Sequence, residues 1–364
     1  MTASDQRRRR PGRYPGLAPG IVAALAAALL FGAAAPLAKL LLAQVSPWLL
    51  AALLYLGSGI GLAVLRRLRP GDRVRLPRGD WPWLAGAILS GGVAGPVLLM
   101  LGLTDLPASQ ASLLLNAEGV LTALLAWCVF RENVDARVAF GMLCIVAGGL
   151  VLAWPQQGTA GGGLRPTALV LCACLAWAID NNLTRKVALA DASWVAMVKG
   201  LAAGTANLLI ALSLGAQWPA PALVAAAGLL GLFSYGVSLV LFVLGLRQLG
   251  TARTGAYFSV APFFGAALAV LLLGEPVSWQ LAVAAVLMAA GVWLHLTERH
   301  EHLHAHEALA HTHEHVHGEG DPHHDHVHVP AVPPGTRHSH PHVHEPLVHA
   351  HPHYPDAHHR HRHD

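Results

Sequence analysis

The sequence predicts an all-α integral membrane protein: ten transmembrane helices in two inverted five-helix repeats, followed by a disordered histidine-rich tail. Three observations carry that prediction. Of 364 residues, 54% are hydrophobic and only 12% are charged, where an ordinary soluble chain carries about 25% charged residues. A water-soluble globule of this composition would be short of polar surface, whereas lipid solvates apolar helices whose backbone groups bond internally. The apolar residues also gather into ten stretches of about twenty, the length a helix needs to cross about 30 Å of hydrocarbon. Finally, the second five stretches repeat the first.

The first five stretches run from Pro19 to Leu42, Pro47 to Leu65, Pro82 to Leu103, Ala108 to Phe130 and Ala136 to Trp154. The second five run from Pro166 to Leu183, Trp194 to Leu214, Leu223 to Leu244, Thr254 to Leu273 and Trp279 to Leu296. The first is too long for the core of a cleaved signal peptide and no small-residue cleavage pattern follows it, so it is expected to remain as a membrane helix. The basic run Arg7 to Arg10 before it reads as a topology anchor, since the rest of a twin-arginine export signal is missing.

With the amino terminus inside, the inner loops hold Arg66, Arg67, Arg69, Arg73, Arg75 and Arg78, then Arg131 and Arg137, Arg185 and Lys186, and Arg247 and Arg253. The outer loops hold only Arg165. This asymmetry follows the positive-inside rule and predicts both termini in the cytoplasm, the chain sitting in the plasma or inner membrane. Trp48, Trp81, Trp83, Trp154, Trp194, Trp218 and Trp279 fall at predicted helix ends, where an indole favours the headgroup region. Cys128, Cys144, Cys172 and Cys174 lie inside the stretches and imply no disulfide framework. Cys172 and Cys174 stand about 200° apart around a helix, so packing is a better reading for them than metal binding.

Shifting the chain by about 143 positions lays EGVLTALLAWCVFRENV, from Glu118, over APFFGAALAVLLLGEPV, from Ala261, without a gap. Glu132 then meets Glu275, Gly148 meets Gly291 and Gly102 meets Gly245, while at a slightly different offset Leu25 pairs with Leu171 and Lys39 with Arg185. The organisation that follows is a basic cytoplasmic N-terminus at 1–17, a first repeat at 18–154, a linker at 155–165, a second repeat at 166–297 and the tail at 298–364. Five helices is an odd number, so corresponding helices cross the membrane in opposite directions. Inverted repeats of this kind place a solute site near the midplane and let the halves rock about it.

A charge near the bilayer centre costs at least about 2.5–3.5 kcal/mol, so each needs a partner or a purpose. Glu118, mid-way along the fourth stretch, is the first candidate for a protonatable or cation-contacting group, against a neutral carboxyl bonded to a neighbouring helix. Asp180 and Lys199 lie at matching depths across a short inner loop, as an ion pair fixing helix register or as gating or binding groups. Asn181 and Asn182 beside them can bind solute or satisfy helix contacts. Lys39 is near enough to the outer end of the first helix to snorkel to water. Arg253 and Tyr257 stand four apart on one helical face, at the inner mouth of a pathway or as interfacial anchors. Glu132 and Glu275 end helices at loops, where a structural cap or loop contact is expected.

All 24 histidines lie at His295 or later. From His300 onward they recur as His-x-His beside Glu, Asp and Pro: His302, His304 and His306; His311, His313, His315 and His317; His323, His324, His326 and His328; His338, His340, His342 and His344. Low apolar content and scattered prolines argue against a packed domain. Neutral imidazoles on a flexible chain can gather around Zn, Ni, Co or Cu; otherwise the tail is a low-complexity extension whose positive charge grows below about pH 6.5.

FGAAAPLAK (Phe31 to Lys39) and WAIDNNLTRK (Trp177 to Lys186) resemble the first-helix pattern of each repeat in the drug/metabolite transporters built from two EamA-type repeats. So do the fourth helix ending in Glu132 and APFFGAALAVLLLGE (Ala261 to Glu275), with Pro262 at the family's proline position and Gly119 in its place in the first repeat. The resemblance spans roughly Pro19 to Leu296. It implies a secondary transporter that exports metabolites, amino acids, nucleosides or toxic compounds. The alternatives are a transition-metal exporter fed by the tail and a membrane-anchored metal buffer or sensor. No nucleophile-and-base arrangement and no GxxxxGK[ST] loop points to an enzyme or to direct use of ATP, and no cofactor is expected beyond metal ions at the tail. The expected partners are the lipid bilayer, a small-molecule solute, protons and divalent metal ions, with no nucleic acid; a homodimer is compatible with this reading.

Overall fold

The computed structural model describes residues 19–68, 76–130, 136–154, 163–187, 191–249 and 251–296, and in the tail 301–306, 309–316, 337–344 and 347–352. Among the described residues nine helices are long and apolar enough to cross a membrane. They are α1 (Pro19–Leu41), α2 (Pro47–Leu68), α3 (Arg78–Asp105), α4 (Ala108–Val129), α5 (Ala136–Ala153), α6 (Leu164–Val187), α7 (Ala192–Ser213), α8 (Pro221–Leu246) and α9 (Thr254–Leu273). A shorter apolar helix, α10 (Trp279–His295), follows. Each of the ten expected stretches is therefore a helix, with ends displaced by a few residues. The basic run at Arg7 to Arg10, the loop that carries Glu132 and most of the 155–165 linker lie outside the described residues.

The helices sort their residues as a bilayer demands. Leu89, Val129, Leu143, Leu150, Leu271 and Val286 turn outward and stay exposed, which suits hydrocarbon. Leu49, Leu50, Leu54, Met100, Leu103, Leu113, Leu114 and Met288 fill the interior. Because lipid tails are as apolar as leucine, association depends on close packing, and small residues mark the crossings. At the α2–α7 crossing a Cβ on Gly200 would stand 2.8 Å from the Gly59 Cα, so neither glycine tolerates a side chain without moving a backbone. Trp81, Trp83, Trp154, Trp218 and Trp279 are exposed at helix ends, as membrane-interface anchors should be. Arg137 stacks 5.7 Å from the Trp293 ring and Lys186 stacks 5.8 Å from that of Trp83.

Several spans are interrupted, and the interruptions repeat between halves. α4 breaks between Ala108–Leu114 and Ala117–Phe130, and α9 between Thr251–Phe258 and Ala261–Leu273. In α9, Pro262 opens the new helical segment, where its missing N–H costs nothing. Gly119 occupies the matching place in α4, yet α4 breaks too. There the Leu113 carbonyl accepts both the Asn116 Nδ2, at 2.9 Å, and the Asn116 backbone N–H, at 3.1 Å, closing a local turn. α3 and α8 each pass through a π-helical stretch, Ile88–Ala94 and Leu232–Val237, again about 143 positions apart.

The chain divides into a unit at Met1–Glu298 and a second at Arg299–Asp364. In the second unit β1 (Glu301–His306) pairs antiparallel with β4 (Leu347–Pro352), and β2 (Leu309–Val316) with β3 (Arg337–His344). Their His-x-His alternation has the period of two of an extended strand. His317, His323, His324, His326 and His328 lie outside the described residues.

Candidate functional site

The irregular backbone of α3 anchors the centre of the bundle. Backbone groups away from the ideal helical ladder need new partners at membrane depth, where water does not reach them. Three other helices supply these. The Tyr55 hydroxyl of α2 donates to the Gly91 carbonyl at 2.8 Å, and Trp177 Nε1 of α6 donates to the same oxygen at 2.9 Å. Asn207 of α7, fully buried, donates through Nδ2 to the Gly92 carbonyl at 3.1 Å.

Asp180 lies directly against Gly91, so closely that a Cβ there would collide with the carboxylate. Lys199 Nζ donates to both Asp180 oxygens, at 2.5 and 2.6 Å, and Thr184 Oγ1 donates to Asp180 Oδ1 at 2.8 Å. Their side chains are only 10% and 17% exposed. The pair read from matching depths forms, and it ties α6 to α7 beside the α3 distortion.

One residue further along α6, on another face of the helix, the arrangement is different. Asn181 is exposed, and its Nδ2 donates to Glu118 Oε1 of α4 at 2.8 Å and to Thr122 Oγ1 at 3.3 Å. Asn182 is buried in the α4–α6 contact, donating to the carbonyls of Ala178 at 2.9 Å and Thr122 at 3.3 Å. Glu118 is thus held by an amide rather than by a cation. A carboxylate so placed can take a proton, or the positive end of a solute, without first breaking an ion pair.

Rings from both repeats run through the centre. Phe31 of α1 meets Tyr235 edge-on with centroids 5.9 Å apart and lies 5.3 Å from Phe258, while Tyr55 and Tyr235 stand 5.8 Å apart. Phe242 adds an edge contact with Phe258 at 4.9 Å.

The remaining sequence candidates lie elsewhere. Lys39 does not snorkel freely: its Nζ donates to backbone carbonyls where α3 ends. Glu275 caps the start of α4, a cap of the kind expected from its loop position. Tyr257 is half-buried on the first segment of α9, and the Arg253 side chain is outside the described residues. All four cysteines are free, and Cys174 is buried with its Sγ–H donating to the Leu114 carbonyl at 3.6 Å. No group of three or more His, Cys, Asp or Glu among the described side chains is placed to hold a metal ion. The residues not foreseen are Tyr55, Gly91, Trp177, Asn207 and Tyr235. Polar and small residues at the same offset in both halves, Ser90 to Gly92 and Ser234 to Gly236, are the signal that marks the distortions.

A polytopic bundle of two inverted halves meeting at a polar, aromatic centre defines a membrane transport protein. The chain belongs to the EamA-like transporter family, whose model matches residues 18–154 and 165–297, within one residue of the repeats read from the sequence. A transporter of uncharacterized function from Methanothermobacter thermautotrophicus is 30% identical over 286 residues, covering 73% of this chain and 82% of that one. A probable 4-amino-4-deoxy-L-arabinose-phosphoundecaprenol flippase subunit, ArnE, from Pseudomonas fluorescens is 37% identical over 71 residues, 20% of this chain and 60% of its own. A solved crystal structure shares the fold with a TM-score of 0.58 at 21% identity, over 76% of this chain and 96% of that one.

Proposed function

We propose that the protein is a secondary-active exporter of a small organic metabolite or toxic compound, working by alternating access in the cell membrane with both termini in the cytoplasm. The observation that carries this reading is the Glu118–Asn181 pair, a mid-membrane carboxylate and an exposed amide between α4 and α6. The Asp180–Lys199 pair is saturated by its own hydrogen bonds and serves to hold α6, α7 and the α3 distortion in register. Protons are the proposed coupling ion, through Glu118. With the protein in proteoliposomes, a panel of amino acids, nucleosides, amines and zinc or nickel salts is to be tested with and without an imposed proton gradient. An organic solute should move, and Glu118→Gln should lower its flux at least tenfold while insertion stays normal; unchanged flux would sink the assignment of Glu118.

A second role falls to the tail. Strand register sets His302 opposite His351, His304 opposite His349, His311 opposite His342, His313 opposite His340 and His315 opposite His338. Opposed and alternate positions share a face of a two-stranded ribbon, which suits imidazole ligation of Zn, Ni, Co or Cu. This supports metal capture at the tail, as a buffer or regulator rather than as part of the route through the helices.

A further inference from the structure

At the outer end of the bundle α3 stops at Asp105 and α4 starts at Ala108, with only Leu106 and Pro107 between them. So tight a corner brings together two sets of unpaired backbone groups, the last carbonyls of α3 and the first N–H groups of α4. Pro107 stands at the N-cap of α4 and has no side-chain oxygen to offer. The corner is closed by two charges from elsewhere. Lys39, near the end of α1, donates Nζ to the carbonyls of Leu103 at 2.5 Å, Thr104 at 3.0 Å and Leu106 at 3.2 Å. Glu275, just past α9 in the other repeat, accepts the Ala108 N–H on Oε1 at 2.7 Å and the Ser109 N–H on Oε2 at 2.8 Å. Each charge meets the helix end whose dipole attracts it, and Glu275 and Asp105 both attract Lys39.

We infer that this clasp is the outer gate of the transport cycle: Glu275 leaves Ala108 and Ser109 when the bundle opens outward. The position supports it. Glu275 joins one repeat to the other, and it does so at the rim, where water can replace it on the freed N–H groups. A buried pair such as Asp180–Lys199 has no such replacement.

The inference rests on the alternating-access reading, so its test must separate the two. Ser112, one turn below the clasp, is 1% exposed, with Gly265 of α9 packed against it, and Ser112→Cys therefore reports parting of α4 from α9 at the outer side. Gly255→Cys, its repeat mate in open space, reports the inner side. Both are placed in the full chain, with the four native cysteines replaced by alanine, in nanodiscs, and labelled with a charged maleimide. Glu275→Gln should speed labelling of Ser112→Cys at least fivefold and slow that of Gly255→Cys, and Lys39→Met should act in the same direction. Unchanged Ser112→Cys labelling in both Glu275→Gln and Lys39→Met, with native elution and melting, would reduce the clasp to a static cap. Both reporters rising together in Glu275→Gln would mean a loosened fold and would also overturn the gate. Because no solute enters the measurement, opposite shifts without flux of any organic compound would instead count against the proposed function.

Discussion

Asp180 and Lys199 illustrate how a charge survives inside a membrane helix. With each oxygen of Asp180 accepting from Lys199 and a third bond from Thr184, removing one partner strands the other. Lys199→Met should therefore destabilise the protein by about 3–5 kcal/mol, measured as a lowered melting temperature in detergent, and Asp180→Asn on top of it should restore most of the loss. Asp191, outside the membrane at the start of α7, makes a contrasting case. Partial burial pushes its carboxyl up, but bonds from Ser193, the Trp194 N–H and Arg66 outweigh this and hold it below the ordinary carboxylate value. A lowered folded pKa contributes stability above the unfolded value of about 4 and loses it as pH falls through the folded one. Asp191→Ala should cost about 1 kcal/mol near neutral pH, a modest figure because the Arg66 pair is partly exposed. In titrated melts the gap to the native protein should hold down to about pH 5 and close below that. Of these pairs, Asp180–Lys199 was legible from depth alone. Glu118–Asn181 was legible only as two candidates, because nothing in the spacing says that α4 and α6 bring them face to face.

Helices are the scale at which the sequence is most readable, since an apolar run of about twenty residues has few alternatives in a bilayer. Its interruptions are less so. Gly119 in place of a proline suggests an unbroken α4, yet the helix breaks at Leu115 and Asn116, held by a local amide bond that no periodicity reveals. The π-helical stretches leave only the polar and small residues of Ser90 to Gly92 and Ser234 to Gly236 as a trace in the sequence, because what stabilises the one in α3 is Tyr55, Trp177 and Asn207, which donate from three other helices. Gly91 is where that distortion is least tolerant. Gly91→Ala would drive a methyl group into the Asp180 carboxylate and should cost about 1–3 kcal/mol, whereas Gly79→Ala, with nothing within 4 Å of the added carbon, should fall within about 0.5 kcal/mol of the native protein. Thermal melts of the two variants side by side provide the check.

For the molecule as a whole, the repeat was the most informative feature of the sequence, because it turned ten apolar stretches into two inverted halves and supported the family likeness. The tail was the most conspicuous and said least about the membrane part. Removing residues after Arg299 separates the two units: the truncated protein should keep its melting temperature and its flux of organic solute, and should lose most of its zinc binding in equilibrium dialysis. Retained zinc binding would relocate the metal site to the helices. The corner at Pro107 carries one more consequence, for biogenesis. The carboxylate that completes the start of α4 lies 167 positions downstream of Ala108, so at about 5–20 residues per second the ribosome needs on the order of ten to thirty seconds to deliver it. Throughout that interval the first half stands with the Ala108 and Ser109 N–H groups uncapped by Glu275.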